Sequence, residues 1–230
     1  MIQVAIVDDH QLFRKSLCLL IDSFEGVKSI FDACNGKDFF EKLSLSESVP
    51  DIVLLDIEMP EMNGFEVCAL LRVNYPDIKV LIVSQLTTKE SIHKTMELGA
   101  HGYFTKNSDP GQLQLAIKSL QEIGYYFGME LGTVIREALL WQKKASPSSN
   151  SKKKKYKSEE EKEKLSSREV EILKMACKEY NTSEIAEKLC ITVKTVESHR
   201  KHILEKTSAK NFIGAIIFAL KHEYFTYAQL

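Results

Sequence analysis

Long apolar runs are missing from this 230-residue sequence; none approaches the ~18 residues that suggest a membrane span. The amino-terminal stretch MIQVAIVDDHQLF meets two carboxylates after only seven residues, which leaves no room for a signal-peptide core. The sequence also has no CxxC pair. Its five cysteines (Cys18, Cys34, Cys68, Cys177, Cys190) are scattered, and an odd, unclustered set points to a reducing compartment rather than to disulfides or a zinc site. With 10 glycines and 5 prolines, a collagen-like chain is excluded. These absences argue against membrane, secreted and zinc-ribbon readings and lead us to expect a cytoplasmic protein. What remains is ordinary globular material, 44% hydrophobic and 27% charged, which also argues against wholesale disorder.

Net charge is close to zero at −1, but it is unevenly placed. Residues 1–150 carry 14 Lys+Arg against 20 Asp+Glu, a balance of −6, whereas residues 151–230 carry 17 against 12, a balance of +5. An acidic part joined to a basic part suggests different partners for each. Between them, residues 145–164 read ASPSSNSKKKKYKSEEEKEK, too polar to bury enough surface to order themselves, and we expect a flexible linker there. Just before it, Leu131, Val134, Ile135, Ala138 and Leu139 recur at helical spacing and suggest an amphipathic connector helix over 125–144, ending near Trp141.

In residues 1–124, short apolar runs alternate with helical patterns. Val4–Val7 (VAIV), Ile52–Leu55 (IVLL) and Val80–Val83 (VLIV) are unbroken and mostly β-branched or leucine, as expected of strands covered on both faces. Phe13, Leu17, Leu20 and Ile21 share one helical face, and Phe65, Ala69 and Leu70 share another after Asn63-Gly64. Such alternation implies βαβ units and an α/β, doubly wound parallel sheet.

Ligands of doubly wound sheets bind outside the carboxyl ends of the strands. Polar residues stand at those ends: Asp8-Asp9 after the first run, Asp56 after IVLL, Ser84 after VLIV, and Lys106 after Gly102–Thr105. Carboxylates gathered on one rim raise each other's pKa unless a cation neutralises them. A hard divalent ion such as Mg²⁺ suits oxygen ligands and a substrate phosphate. Aspartate also serves as a nucleophile toward phosphoryl groups, with Ser84 and Lys106 as donors to the phosphoryl oxygens.

The motifs VDDH (7–10), LLDIEMPEMNG (54–64), VSQ (83–85) and GAHGYFTK (99–106), with Pro110 and Leu113 at a helix start, resemble those of two-component receiver domains. The resemblance implies that Asp56 is the phosphoacceptor and that Asp8, Asp9, Asp56 and the Glu58 backbone carbonyl surround Mg²⁺. It makes Ser84 and Tyr103 the switch pair and Lys106 the phosphoryl-contacting lysine. Pro60 stiffens the loop after Asp56, and Gly64 supplies backbone freedom before the next helix. Gln85 departs from the small residue usual in the family. A haloacid-dehalogenase-type phosphatase, with its DxDxT motif, fits poorly: Asp56-Ile57-Glu58-Met59-Pro60 fails at the third and fifth positions.

Residues 165–230 show helix starts and no strand. Ser166-Ser167-Arg168-Glu169 reads as a capping box opening a face of Val170, Leu173 and Cys177. Thr182 and Thr192 are candidate caps of two further helices, and Ile213–Lys221 forms a fourth. The segment 182–206 reads as two helices joined by Cys190-Ile191-Thr192, the second carrying Lys194, Thr195, Glu197, Ser198, Arg200 and Lys201 outward. That mixture of cations and hydrogen-bonding groups suits a helix in the DNA major groove. LSSREVEILKMA (165–176), EIAEKL (184–189) and TVKTVESHRKHILEK (192–206) resemble the LuxR-type helix-turn-helix of NarL/FixJ response regulators. By that resemblance these six residues read double-stranded DNA. We expect Lys194 and Thr195 at bases or nearby phosphates, and Lys201 and Lys206 at phosphates.

Glu179, Thr182, Thr207 and Phe212 depart from the family's usual Gly, Asn, Leu and Arg. Ile213, Ile216, Ile217 and Leu220 are expected to form a homodimer face when the protein is phosphorylated or DNA-bound; the alternative is that they complete a small core. The whole sequence thus reads as a response regulator, not an enzyme: a histidine kinase phosphorylates Asp56, which controls dimerisation and DNA binding. Two other readings stay open, a receiver whose DNA binding ignores phosphorylation and a phosphoryl-handling enzyme. His10 is the nearest candidate base for the latter, although a helix-start role suits it better.

Overall fold

The computed structural model describes residues 1–85, 88–126, 164–178 and 180–225, so the expected connector beyond residue 126, nearly all of the linker, and Glu179 lie outside the described residues. The chain divides into two compact units, residues 1–131 and 132–230.

The first unit alternates strand and helix in the order β1 (Ile2–Val7), α1 (Gln11–Asp22), β2 (Val27–Ala33), α2 (Gly36–Leu45), β3 (Ile52–Leu55), α3 (Gly64–Asn74), β4 (Lys79–Ser84), α4 (Lys89–Leu98), β5 (Gly102–Thr105) and α5 (Pro110–Ile123). All five strands are parallel, in the spatial order β2-β1-β3-β4-β5. This is the doubly wound α/β fold expected from the alternation, and its strand order reverses between β1 and β3. Side chains alternate across each strand. Val4, Ile6, Ile52, Leu54, Leu81, Val83 and Phe104 pack with Leu17 and Ile21 of α1 and Leu113, Ala116, Ile117 and Leu120 of α5. Each fully buried Leu or Ile in such a core contributes about 1.5–3 kcal/mol.

The apolar runs at 4–7, 52–55 and 80–83 all became strands because neighbours cover them on both sides. The strand β2 lacked that signal: it lies at the sheet edge, and only Val27 and Ala33 at its two ends are fully buried. The expected face of α3 is rotated. Val67, Cys68 and Leu71 are buried, whereas Leu70 is 40% exposed. Asn63, with Glu66, closes a reciprocal capping box that sets where this helix begins. After α5, Tyr125 is buried and Tyr126 pairs with Gly102 beside β5.

The second unit is helical: α6 (Ser167–Cys177), α7 (Thr182–Lys188), α8 (Val193–Thr207) and α9 (Phe212–Lys221). Ser166 and Glu169 form the expected capping box, but the buried face of α6 is Glu169, Ile172, Leu173 and Ala176, with Val170 and Cys177 only partly covered. Thr192 caps α8 as expected. Thr182 does not cap α7: Asn181 does, in a capping box with Glu184, and Thr182 is the first helical residue with its side chain turned inward. The turn from α7 to α8 passes through Cys190 at φ +52, and Arg168 Nη2 donates to the Leu189 carbonyl at 2.6 Å, fastening that turn to α6. No helix among the described residues is long and apolar enough to cross a membrane.

Candidate functional sites

Backbone pairing brings the strand ends of the first unit side by side. Asp8 N donates to the Ala33 carbonyl at 3.1 Å, Asp56 N to the Val7 carbonyl at 2.9 Å, and Lys106 N to the Ser84 carbonyl at 3.0 Å. Residues that follow three different strands, β1, β3 and β5, therefore meet at the carboxyl edge of the sheet. The Asp8 and Asp56 side chains are 3% and 5% exposed, and both reach Lys106 Nζ, at 2.6 and 2.5 Å. Asp56 Oδ1 also accepts from Ile57 N at 2.7 Å. Burial pushes the Asp56 carboxyl above the usual carboxylate range; the Lys106 bond opposes this, and the Asp8 charge adds to it. Burial alone would lower the Lys106 ammonium, but its bonds to Asp56 and Asp8 prevail and raise it.

Asp8, Asp9, His10 and Asp56 each offer a ligand atom within 4.8 Å of one another. Asp9 Oδ1 is shielded from solvent and receives no hydrogen bond, although His10 Nδ1 lies 2.8 Å away without hydrogen-bond geometry. An orphaned carboxylate oxygen beside two buried carboxylates is the environment that a hard cation stabilises. Three carboxylates and one ammonium leave two negative charges, so the residues fit a divalent cation. The Glu58 side chain is exposed. Ser84 and Tyr103 are buried at 1% and 0% exposure.

Three further residues shape this site, and two of them, Arg14 and Phe13, were not among its expected members. Arg14 Nη1 donates to the Asp8 carbonyl at 2.5 Å while its Nε reaches Asp32 Oδ2 at 2.7 Å, so a buried guanidinium fixes the acidic loop. Its signal was a single charge at positions 14, 17 and 21, within the apolar stripe of α1. The Phe13 ring lies 4.7 Å from Lys106 Nζ. His10 occupies the N-cap position of α1 but makes no cap bond, and its side chain joins the acid cluster instead. Gly64 has a role other than the one expected. Its φ is not positive, so backbone freedom is not the reason for it; a Cβ there would stand 2.0 Å from the Asp56 carbonyl oxygen.

In the second unit, α8 exposes Lys194, Glu197, Ser198, Lys201, His202 and Glu205 along one stripe and buries Val196, Ile203 and Thr207. Three of the expected DNA contacts are otherwise engaged. Thr195 is half-buried, its Oγ1 2.8 Å from Thr192 Oγ1. Arg200 Nη1 donates to Thr182 Oγ1 at 3.0 Å, and its guanidinium lies 4.5 Å from the Phe212 ring. Lys206 Nζ pairs with the buried Glu169 at 3.1 Å; burial would raise that carboxyl, but the Ser166 and Lys206 bonds prevail and lower it. Of the expected dimer residues, Ile213, Ile216 and Leu220 lie in this unit's own core at 0%, 0% and 4% exposure, and only Ile217 is partly exposed.

A doubly wound sheet with paired acids and a lysine at its carboxyl edge, in one chain with a helix-turn-helix unit, defines a phosphoryl-responsive switch joined to a DNA-binding module. The family of response regulator receiver domains matches residues 4–118, and the luxR family of bacterial regulatory proteins matches residues 163–219. The oxygen regulatory protein NreC of Staphylococcus epidermidis is 31% identical over 220 residues, covering 95% of this chain and 97% of that protein. A LuxR-family two-component response regulator from Aurantimonas is 27% identical with a TM-score of 0.55, covering 60% of this chain and 97% of its own. The response regulator RcsB, solved in complex with DNA, shares the fold at 18% identity and a TM-score of 0.54, over 94% of this chain and 96% of that one. The chain belongs to the NarL/FixJ-type two-component response regulators, which act on DNA through a LuxR-type domain.

Proposed function

We propose that Asp56 is the phosphoacceptor of this regulator and that a histidine kinase is its phosphodonor. The observation that carries this reading is the convergence of buried Asp8 and Asp56 on Lys106, next to the unsatisfied oxygen of Asp9. Asp8, Asp9 and Asp56, with the Glu58 carbonyl, would hold Mg²⁺, which when bound offsets charge on the phosphoryl oxygens. The Asp56 carboxylate attacks phosphorus, and the donor's imidazole leaves. Lys106 then turns from the carboxylates to the new phosphoryl oxygens, and Ser84 and Tyr103 shift with it. A phosphoryl group in this buried, acidic corner biases a two-state surface of the receiver.

On this reading residues 1–124 are the receiver and 165–230 the DNA-binding domain. Phosphorylation promotes a homodimer whose two recognition helices engage paired half-sites, a gain of effective concentration rather than of new contacts. Lys194 and Lys201 on the exposed stripe of α8 are the phosphate-facing lysines of this scheme. As a regulator of transcription rather than an enzyme, the protein works in the cytoplasm, where kinase output and DNA are both present. The test is intact mass after incubation with Mg²⁺ and a small acyl-phosphate donor. A single phosphoryl adduct is expected, absent in Asp56→Asn; an adduct retained on the peptide bearing position 56 in the variant refutes the assignment.

A further inference from the structure

The exposed stripe of α8 carries one group that a DNA backbone repels. Glu197 is exposed midway between Lys194, one turn before it, and Lys201, one turn after it. No described residue bonds to or pairs with its carboxylate. Lys201 lies instead 4.0 Å from Glu205, on the far side from Glu197. A carboxylate held toward a polyanion is unfavourable unless it meets a hydrogen-bond donor, and a carboxylate only accepts. In the major groove the donors are the exocyclic amino groups, and an acidic side chain pairs with N4 of cytosine.

The arginine form of guanine recognition is closed to this helix, which leaves only lysine for that base. Arginine reads guanine through O6 and N7, but Arg200, the single arginine of α8, is bound to Thr182 and lies over Phe212. Two lysines flank Glu197 at the spacing of adjacent helical turns, suited to phosphates on either wall while the carboxylate faces the groove floor.

We infer that Glu197 is a specificity-determining residue that reads a cytosine in each DNA half-site by accepting a hydrogen bond from its N4 amino group. This rests on the assignment of α8 as the DNA-facing helix. Because Glu197 is exposed and unpaired, its replacement leaves the fold intact, which a thermal melt verifies.

The experiment is selection of binding sites from randomised duplex DNA by the full chain, incubated with Mg²⁺ and an acyl-phosphate donor, comparing wild type, Glu197→Gln and Glu197→Ala. The wild type is expected to select a fixed cytosine with a preference of roughly 5- to 100-fold over other bases. Glu197→Gln is expected to exchange that base for adenine, which glutamine reads through N6 and N7, and leave the remaining positions unchanged. Glu197→Ala is expected to lose the preference at that one position. If both variants select the wild-type motif, or if the altered position is not cytosine, the inference is overturned. If the wild type selects no motif, the DNA reading of α8 beneath it fails instead.

Discussion

Replacing Gly64 by alanine sets two effects of opposite sign against each other at the loop that carries Asp56. Alanine restricts the unfolded chain more than glycine does, and where the native backbone accepts it the gain is about 0.4–1 kcal/mol. Gly64 has no positive φ, so that gain applies here. Against it, the added Cβ would lie 2.0 Å from the Asp56 carbonyl oxygen, 2.8 Å from Ile57 Cα and 2.9 Å from the Asp56 carbonyl carbon. All three atoms are backbone, so no side chain can swing away, and Gly64 N is itself tied to the Ile57 carbonyl at 3.0 Å. Overpacking that displaces backbone costs typically 1–3 kcal/mol and sometimes more, and this contact belongs at the upper end. The net loss is about 2 kcal/mol, or roughly 6–10 °C in the melting of a domain of this size. Gly26→Ala is the control: φ there is +78 but nothing lies within 4 Å of the added Cβ, so only about 1 kcal/mol of backbone strain is expected. Urea unfolding followed by circular dichroism, with hydrogen exchange of the peptide spanning residues 53–67, separates the two. Gly64→Ala should also slow phosphorylation, because the displaced segment carries the acceptor. A Gly64→Ala protein as stable as the wild type would refute the close-approach argument.

Four more outcomes are expected. Lys106→Ala leaves the buried Asp8 and Asp56 carboxylates without their cation. It should cost about 3–5 kcal/mol in urea unfolding, partly restored by millimolar Mg²⁺. The mostly buried His101 accepts a hydrogen bond on Nδ1 from Val80 N at 3.1 Å, and burial with nearby Lys79 lowers its pKa from 6.5 to about 4. The folded state thus binds this proton less readily than the unfolded one. Its contribution is complete above pH 6.5 and is lost as pH falls toward 4, by at most about 3 kcal/mol; His101→Gln should flatten wild-type stability loss across that window in paired urea titrations. Arg200→Ala should lower the melting temperature of the DNA-binding domain by removing its bond to Thr182 and its stacking on Phe212, a loss of about 1–2 kcal/mol. Lys194→Ala should leave that temperature unchanged and reduce the salt slope of DNA binding by about one.

The apolar runs at 4–7, 52–55 and 80–83 were legible as strands because a doubly wound sheet buries both faces of its central members, so burial is written continuously along the chain. The acids and the lysine were legible for a related reason: in this fold, functional groups sit where strands end, and strand ends are visible as the last residue of each run. Edge strand β2 was not legible, since most of its side chains are only partly covered and its composition is mixed. Thr182 and Asn181 are both plausible caps by type; geometry chose Asn181 because Thr182 is drawn inward by Arg200.

Sequence alone determined the α/β and helical classes, the rim of acids at the strand ends and the helix-turn-helix, all of which follow from periodicity, capping chemistry and residue order. Only tertiary structure decided which side chains are already engaged. Arg200 and Lys206 are long cations that look free on a helical wheel, but they bridge to Thr182, 18 residues away, and Glu169, 37 residues away. Ile213, Ile216 and Leu220 look like an interface but fill their own core. Gly64 looks like a hinge but makes room for the Asp56 carbonyl. In each case the deciding contact joins residues whose distance in space the order of the chain does not encode.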